Sequence, residues 1–287
     1  MPTIWEKVSE NAKLISLPDV YLRLKSVIDD PDFAMNDIAD VISQDPAMTA
    51  RLLRLVNSAY FGFAARIDTV NRAVGMLGSQ QVHDLVLAAS VAQRFEGISN
   101  QVMDMEHFWL RSVTRAIACR ELAVMCNMLD SERVFVAGLL SDIGHLIMYQ
   151  SVPDAAQQAL QQAELQGVPL FRIERVMLGI DHAKVGGALM RQWNLPRSLW
   201  EPTEFHVEPG VALEFPMITS LVHIAVMIAD GMESKTELES VLKKVDQHAW
   251  QTTGLQLEKC IDIPERVNGQ LDIVMNLIFP NQHKVSA

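Results

Sequence analysis

The residues of this sequence that could do chemistry are imidazole and carboxylate groups in the second half of the chain. His223 and Asp230 in LVHIAVMIAD are seven positions apart, so they share one face of a helix. His182 follows Asp181, whose residue type commonly caps a helix N-terminus. Each histidine also has an ordinary alternative. On an apolar helix, His223 is typical of a hydrogen-bonded core group, and at a helix start His182 can simply stay neutral and bond locally.

Other catalytic signals are weak. Cys119, Cys126 and Cys260 form no CxxC pair, and an odd number of cysteines argues against a disulfide framework. Cys119 and Cys126 lie seven positions apart on one helix face and are interpreted as small core residues. Neither a Gly-rich phosphate loop nor a nucleophile elbow is apparent.

Helix boundary signals recur along the whole chain, without a comparable run of alternating strands. Starts are predicted at Asp45-Pro46, Asp130-Ser131-Glu132, Pro153, Asp181 and Pro196, and stops at Gly78, Gly167 and Gly179. Ser234-Lys-Thr-Glu237 has a capping-box pattern and predicts a further start. These signals predict an all-α fold.

A polar connection near Glu96 to Asp104 suggests a boundary between two helical lobes. We expect an N-terminal lobe at residues 1–100 and a second lobe at 101–287 with a C-terminal helical extension. That extension ends in PERVNGQLDIVMNLIF and either packs on the second lobe or forms a dimer face.

Charge and hydropathy disfavour two classes of partner. The net charge of −11 repels a nucleic-acid backbone over long range. A helix-turn-helix interpretation of residues 43–62 and 73–87 is weakened by five acidic and five basic residues between Asn36 and Phe95. The longest uncharged apolar stretch, Phe215 to Ala229, has 15 residues against roughly 20 needed to span a bilayer. Because no signal peptide is visible, we expect a cytoplasmic protein without membrane association.

Several ordered segments resemble one known family. They are SQDPAMTARLLRLVNSAYFG (43–62), AVGMLGSQQVHDLVL (73–87), FWLRSVTRAIACRELA (108–123), VFVAGLLSDIGHLIM (134–148) and GIDHAKVGGALMRQWNLP (179–196). From about residue 14 to 230 the chain is similar to HDOD proteins, which are degenerate relatives of the HD metal-dependent phosphohydrolases. The resemblance implies an all-α, HD-like fold in two packed lobes and a role as a stand-alone signalling module.

The resemblance also implies that two metal ligands of the HD enzymes are lost. The His-Asp pair falls on Ser141-Asp142, and an earlier histidine falls on Arg111. Arginine has no lone pair for a metal. Its charge about 5 Å from a divalent ion would cost roughly 6 to 7 kcal/mol at an effective dielectric constant of about 20. We therefore expect Arg111 to pair with Asp142. In the alternative, Arg111 faces solvent and Asp142 bonds a neighbouring helix.

The remaining family positions are partly kept. His182 matches a histidine of binuclear relatives, a histidine pair is reduced to Phe205-His206, and Asp230 matches the last metal-binding aspartate. If a metal binds, the resemblance implies that its ligands are Asp142, His182, His206 and Asp230, a set that suits zinc, iron or manganese. His83 and His145 have no role in the family pattern and are interpreted as structural.

Two functional hypotheses follow. In the first, the chain is a non-catalytic regulatory module without a cofactor, which binds a signalling protein or small ligand and can self-associate. Its vestigial pocket then comprises Arg111, Ser141, Asp142, His182, His206 and Asp230. In the second, it is a residual metal-dependent phosphohydrolase acting on a nucleotide or cyclic dinucleotide.

Overall fold

The computed structural model describes residues 4–13, 15–58, 61–63, 65–95 and 102–279. All regular secondary structure in these ranges is helical, which confirms the predicted all-α fold class. None of the helices formed by these residues has the length and apolar character needed to cross a membrane.

The helices have the following order along the chain. The first nine are α1 (Ile4–Lys13), α2 (Asp19–Ile28), α3 (Met35–Ser43), α4 (Pro46–Val56), α5 (Val70–Leu77), α6 (Ser79–Arg94), α7 (Met105–Met125), α8 (Ser131–Leu140) and α9 (Ile143–Ser151). They are followed by α10 (Pro153–Gln166), α11 (Leu170–Leu178), α12 (His182–Gln192), α13 (Arg197–Phe205), a 3₁₀ turn (Pro209–Val211), α14 (Pro216–Glu233), α15 (Leu238–Leu242), α16 (Gln247–Thr253), α17 (Leu257–Cys260) and α18 (Ile263–Ile278).

The chain divides into two compact units. The first unit comprises the described residues of Met1–Ser16 and Ile98–Val267, and the second those of Leu17–Gly97 and Asn268–Ala287. The boundary expected near residue 100 falls on residues 96–101, which lie outside the described residues. Unlike the expected 1–100 lobe, the first unit includes α1, because Trp193 Nε1 donates to the Ile15 carbonyl at 2.9 Å and Gln192 to the Ala12 carbonyl at 3.0 Å.

Most of the predicted helix boundaries are present. The Asp45 carboxylate accepts from the backbone N–H groups of Ala47 and Met48, and the Asp181 carboxylate accepts from that of Lys184. Gly167, Gly179 and Gly78 follow α10, α11 and α5 with positive φ values of 62°, 76° and 82°. The two aspartates therefore bond free N–H groups at helix N-termini, and the three glycines end their helices with a positive φ, as the sequence indicated.

The capping box predicted at Ser234 is wrong. Ser234 follows the last turn of α14, where its hydroxyl donates to the Asp230 carbonyl at 2.8 Å. The next helix begins at Leu238, after Glu237 and without a side-chain cap. Ser234 is therefore the C-cap residue of α14 and lies three positions before Glu237, the N-cap residue of α15, so it does not occupy the position from which it could cap that helix.

The core of the first unit forms around α7, a helix of 21 residues that packs on α8 and α14. Its buried side chains include Phe108, Trp109, Val113, Ile117 and Leu122. Nearby, α9 packs closely on α12 because Gly144 has no side chain. A Cβ atom at this position would lie 1.9 Å from the His182 carbonyl oxygen. This close approach brings the start of α9, and with it His145, next to His182.

The second unit has its own apolar core, with Leu24, Ile38, Ile42, Val56 and Leu87 all fully buried. Three polar side chains form a row of hydrogen bonds within that core. The Tyr21 hydroxyl lies 3.0 Å from His83 Nε2, and His83 Nδ1 lies 3.0 Å from Asp84 Oδ1. His83 thus has a hydrogen-bond partner at each ring nitrogen, in agreement with the structural role inferred from the sequence.

Candidate functional site

Asp142 lies at the junction of α8 and α9 and is only 1% exposed. Arg111 Nη2 lies 2.5 Å from its Oδ2 atom, so the predicted pairing of Arg111 with Asp142 is present. Arg115 Nη1 lies 2.9 Å from the same oxygen. Ser141 takes no part in this contact, because its hydroxyl donates to the Gly138 carbonyl at 2.8 Å.

Arg115 spans two carboxylates. Besides its contact with Asp142, its Nη2 atom donates to Asp230 Oδ1 at 3.0 Å. The guanidinium therefore lies between the two aspartates that the family resemblance assigned to a metal. Arg115 is four residues after Arg111 on α7, so the two cations share one helix face. That spacing is a sequence signal that the sequence interpretation missed.

The second oxygen of Asp142 bonds to a histidine. His145 Nδ1 lies 2.7 Å from Asp142 Oδ1, and His145 Nε2 lies 2.9 Å from Glu174 Oε1. Ionised carboxylates only accept hydrogen bonds, so both ring nitrogens of His145 act as donors and the ring is an imidazolium. Burial by itself lowers the pKa of His145, but the attraction of the two carboxylates outweighs burial and raises the pKa to about 9.

Glu174, from α11, connects this histidine to the next one. It is 2% exposed, and its Oε2 atom accepts from the backbone N–H of His182 at 3.0 Å and from ring atom Nδ1 at 2.8 Å. The ring of His182 stacks on that of His145 with 3.9 Å between centroids. Burial raises the pKa of Glu174, but the two imidazoles outweigh this effect and hold it far below its usual range. Glu174 and the central position of His145 were both missed from the sequence.

The charges of this cluster balance. Burial raises the pKa of Asp142, but Arg115, His145 and Arg111 together hold it well below its usual range, so the carboxylate is ionised. The cluster contains three carboxylates and three cations, namely Asp142, Glu174 and Asp230 with Arg111, Arg115 and His145. No negative charge is left over in this set to attract a divalent ion.

Two further histidines lie beside the cluster as neutral groups. His206 Nδ1 donates to the Thr203 carbonyl at 2.9 Å, and burial together with the nearby His182 lowers the pKa of His206 to about 3. His223 Nδ1 donates to the His206 carbonyl at 2.7 Å, and its Nε2 accepts from the Asp246 N–H at 3.1 Å. His223 is therefore the satisfied group that the sequence suggested, with burial lowering its pKa.

The cluster borders a cleft of about 690 Å³ within the first unit. Lys244 and Arg172 also line it, together with the apolar side chains of Phe171 and Met227. Asp230 has a side chain that is 52% exposed, whereas Asp142 is buried. Solvent therefore reaches one of the two aspartates that Arg115 connects.

The residues of the cluster can be tested as metal ligands. Among the described residues, Asp142, His145 and His182 offer ligand atoms within 4.8 Å of one another and form a possible metal-binding group. The ligand set implied by the resemblance differs, because His206 and Asp230 lie outside this group and His145 is within it. A ligand histidine needs a free lone pair. Both nitrogens of His145 donate to carboxylates, and both oxygens of Asp142 contact cations, so two of the three residues are already engaged in ion pairs. In this arrangement the residues do not fit a divalent ion.

Known proteins agree with this fold. A "Putative phosphohydrolase" from Shewanella amazonensis SB2B has 26% sequence identity and a TM-score of 0.72, with 96% of each chain covered. A "Putative signal transduction protein" from Marinobacter aquaeolei VT8 is 19% identical with a TM-score of 0.69, covering 96% of this chain and 65% of that one. An uncharacterized protein of Treponema pallidum (strain Nichols) is 25% identical over 230 residues, which are 78% of this chain but 44% of that protein.

The chain thus spans less than half the length of that Treponema relative. The family itself follows from a match over most of the sequence, because the model of the HDOD domain matches residues 14–209. This range contains the five segments on which the resemblance depends, and it includes Arg111, Asp142, His182 and His206. The chain belongs to the HDOD family.

Proposed function

We propose that this protein is a non-catalytic signal-transduction module, in which guanidinium groups replace the metal of an HD phosphohydrolase site. The observation that carries the proposal is the position of Arg115, which contacts Asp142 at 2.9 Å and Asp230 at 3.0 Å. Arg111 adds a second cation on Asp142. Two fixed charges thereby compensate the buried carboxylate in the way a metal ion would.

The chemistry of these cations argues against hydrolysis. A divalent metal activates a water molecule by binding it and lowering its pKa. A guanidinium has no coordination position for water and stays protonated. The cluster can therefore keep the HD-like unit folded and hold the shape of the cleft without generating a nucleophile. In this proposal the cleft binds a signalling protein or small ligand in the cytoplasm. The binding of that partner distinguishes one signalling state from another.

Similarity to known proteins is compatible with this function. The Marinobacter protein, named as a signal transduction protein, has the same fold. The Shewanella protein is named as a phosphohydrolase and has slightly higher identity. Because these names point in different directions, the proposal depends on the residues of this chain.

The second candidate function, a metal-dependent phosphohydrolase acting on a nucleotide or cyclic dinucleotide, has one observation in its favour. Asp142, His145 and His182 lie close enough together to bind one ion. For this to happen, His145 must lose a proton from a ring whose pKa is raised to about 9, and Arg111 must leave Asp142. Both steps would cost free energy before any metal bound.

Metal analysis separates the two functions. The protein would be purified without chelator or metal-binding tag, supplied in turn with Mn²⁺, Fe²⁺ and Zn²⁺, and analysed for bound metal after gel filtration. We expect less than about one tenth of an equivalent in the wild type. The Arg111→His variant, which restores a family ligand, should bind more, whereas Arg266→His, which changes an exposed arginine of the same unit, should not.

Near-stoichiometric metal in the wild type that disappears in Asp142→Ala would contradict the proposal. Hydrolysis of nucleotides or cyclic dinucleotides by that metal-loaded wild type would establish the alternative. A folded Asp142→Ala protein, verified by circular dichroism, is needed for the comparison because Asp142 is buried. If that variant does not fold, His182→Ala tests the same site, since His182 belongs to the same possible metal-binding group.

A further inference from the structure

A second concave surface lies in the second unit, whereas the charge cluster around Asp142 belongs to the first unit. It has a volume of about 820 Å³. The described residues that line it come from the end of α4 and the segment before α5. They include Arg54, Phe63, Arg66 and Asp68. Volumes between about 300 and 1,000 Å³ are typical of sites for small molecules.

This surface is basic in an acidic protein. Between Pro46 and Ser79 the sequence has four arginines and one aspartate, a net charge of +3, whereas the whole chain has −11. Arg54 and Arg66 are exposed and both line the concave surface. Neither guanidinium forms an ion pair with another described residue. Two arginines that face one concavity without a carboxylate partner form a suitable site for an anion.

A set of hydrogen bonds from the Asn57 side chain holds the two arginines on the same surface. The Asn57 side chain, at the end of α4, accepts from the Ile67 N–H at 2.7 Å and donates to the Ile67 carbonyl at 2.6 Å. It also donates to the Leu53 carbonyl at 2.7 Å. Ile67 itself is buried. This clamp fixes the segment that carries Arg66 against the end of the helix that carries Arg54, so the surface is formed before a ligand arrives.

The same surface offers an aromatic ring and a hydrogen-bond acceptor. The rings of Phe61 and Phe63 are stacked with an interplanar angle of 8° and 6.1 Å between centroids. Phe63 lines the concavity and is half-buried. Asp68 is exposed on the lining and can accept from hydroxyl or amino groups.

We propose that this surface binds a nucleotide. Arg54 and Arg66 bind its phosphates, Phe63 contacts the base, and Asp68 accepts from the sugar hydroxyls or base amino groups. A nucleotide supplies phosphates for the two arginines, a planar base for Phe63 and hydroxyl or amino donors for Asp68. The overall charge of −11 disfavours a long polyanion such as single-stranded RNA.

Fluorescent nucleotides provide a direct test on the full chain. Binding of mant-ADP and mant-GDP would be titrated by fluorescence anisotropy in low salt, with ADP, pyrophosphate and a 12-nucleotide single-stranded RNA as competitors. We expect saturable binding that weakens at least 10-fold in Arg54→Gln/Arg66→Gln and at least 3-fold in Phe63→Leu. The matched control is Arg72→Gln, an exposed arginine of the same basic segment that does not line the surface, and its affinity should change less than 2-fold.

Several outcomes would overturn the proposal. These are the absence of saturable binding of both probes to the wild type, equal affinity of the double variant and the wild type, and an equal loss in Arg72→Gln. Competition by pyrophosphate as strong as that by ADP would exclude recognition of the base. Much tighter competition by RNA would mean a nucleic-acid surface instead. Unchanged thermal unfolding of the glutamine variants would exclude misfolding, and Arg54→Lys/Arg66→Lys provides a second, charge-preserving pair.

This site is independent of the proposed signalling function of the HD-like cluster. Asp142→Ala should leave nucleotide binding unchanged, because Asp142 belongs to the first unit. Failure of either proposal therefore leaves the other intact.

Discussion

His145 Nδ1 lies 2.7 Å from Asp142 Oδ1, and this buried bond makes the imidazole a cation at neutral pH. The pKa of His145 is raised from 6.5 to about 9 in the folded protein. A raised pKa means that the folded state binds this proton more tightly than the unfolded state does. Its stabilisation is fully present below about pH 6.5 and is lost as the pH rises through about 9.

We expect His145→Gln to remove this pH dependence. The free energy of unfolding would be measured in urea at about pH 6 and about pH 10. Between these two pH values the wild type should lose on the order of 3 kcal/mol more unfolding free energy than His145→Gln does. The reason is that the pKa of His145 is raised in the folded protein. His248→Gln, a change at an exposed histidine of the same unit, is the control and should behave as the wild type does. Parallel curves for wild type and His145→Gln would mean that His145 is not a buried cation.

A second prediction concerns the charge balance at Asp142. Asp142→Asn leaves Arg115, Arg111 and His145 without their shared carboxylate, and should destabilise the protein by about 3 to 5 kcal/mol. Adding Arg115→Gln should cost much less than the sum of the two single changes, because the double variant removes one charge of each sign. Chemical denaturation of all four proteins measures the coupling. Additive losses would show that Arg115 and Asp142 do not stabilise each other.

Asp230 is the matched comparison for Asp142. It contacts the same guanidinium, at 3.0 Å, but its side chain is 52% exposed. Water can replace that contact, so we expect Asp230→Asn to cost less than about 1 kcal/mol. If Asp230→Asn cost as much as Asp142→Asn, burial would not determine the free energy that is lost with each carboxylate.

Glu201 organises the segment that leads into α14. Its side chain is fully buried, and its Oε1 atom accepts from the backbone N–H groups of Leu213, Glu214 and Phe215 at 2.8, 2.8 and 3.0 Å. Its Oε2 atom accepts from Arg197. Since these are hydrogen bonds to a charged acceptor, Glu201→Ala should destabilise the protein by about 3 kcal/mol or more.

The thermal midpoint of Glu201→Ala is the measurement, with Glu214→Ala as a control at a nearby exposed glutamate. That control should lower the midpoint by no more than a few degrees. Glu201→Gln should fall between the two, because the amide oxygen can still accept from the three backbone groups but the amide nitrogen faces Arg197. Equal midpoints for Glu201→Ala and the wild type would exclude a stabilising role for the hydrogen bonds that Glu201 accepts.

Gly144 tests the contact that places His145 beside His182. A Cβ atom there would lie 1.9 Å from the His182 carbonyl oxygen, so Gly144→Ala should cost more than about 3 kcal/mol or separate α9 from α12. Gly269→Ala is the matched helical control, because a Cβ atom at that position meets nothing within 4 Å. It should be neutral or stabilising by up to about 1 kcal/mol. A well-folded Gly144→Ala protein with wild-type stability would contradict the close approach.

Local sequence patterns were enough to predict the helical class, most helix boundaries and the family. Caps such as Asp45, Asp181 and Gly167 act within one turn of their own helix, so local residue order is enough to predict them. The capping box at Ser234 was wrong because α14 continues to Glu233, so Ser234 ends that helix and Glu237 precedes the next one. The local sequence pattern does not show where the preceding helix ends.

The pairing of Arg111 with Asp142 also followed from the sequence, because the family pattern relates these two positions. Which other residues join this pair depends on how distant helices pack together. Glu174 lies 32 residues after Asp142 on a separate helix, and no periodicity connects it to His145 or His182. The third cation, Arg115, points at Asp142 because of how α7 packs on α8. Contacts between distant helices depend on the path of the whole chain. The cluster of three carboxylates and three cations could therefore be recognised only from the packing of the helices.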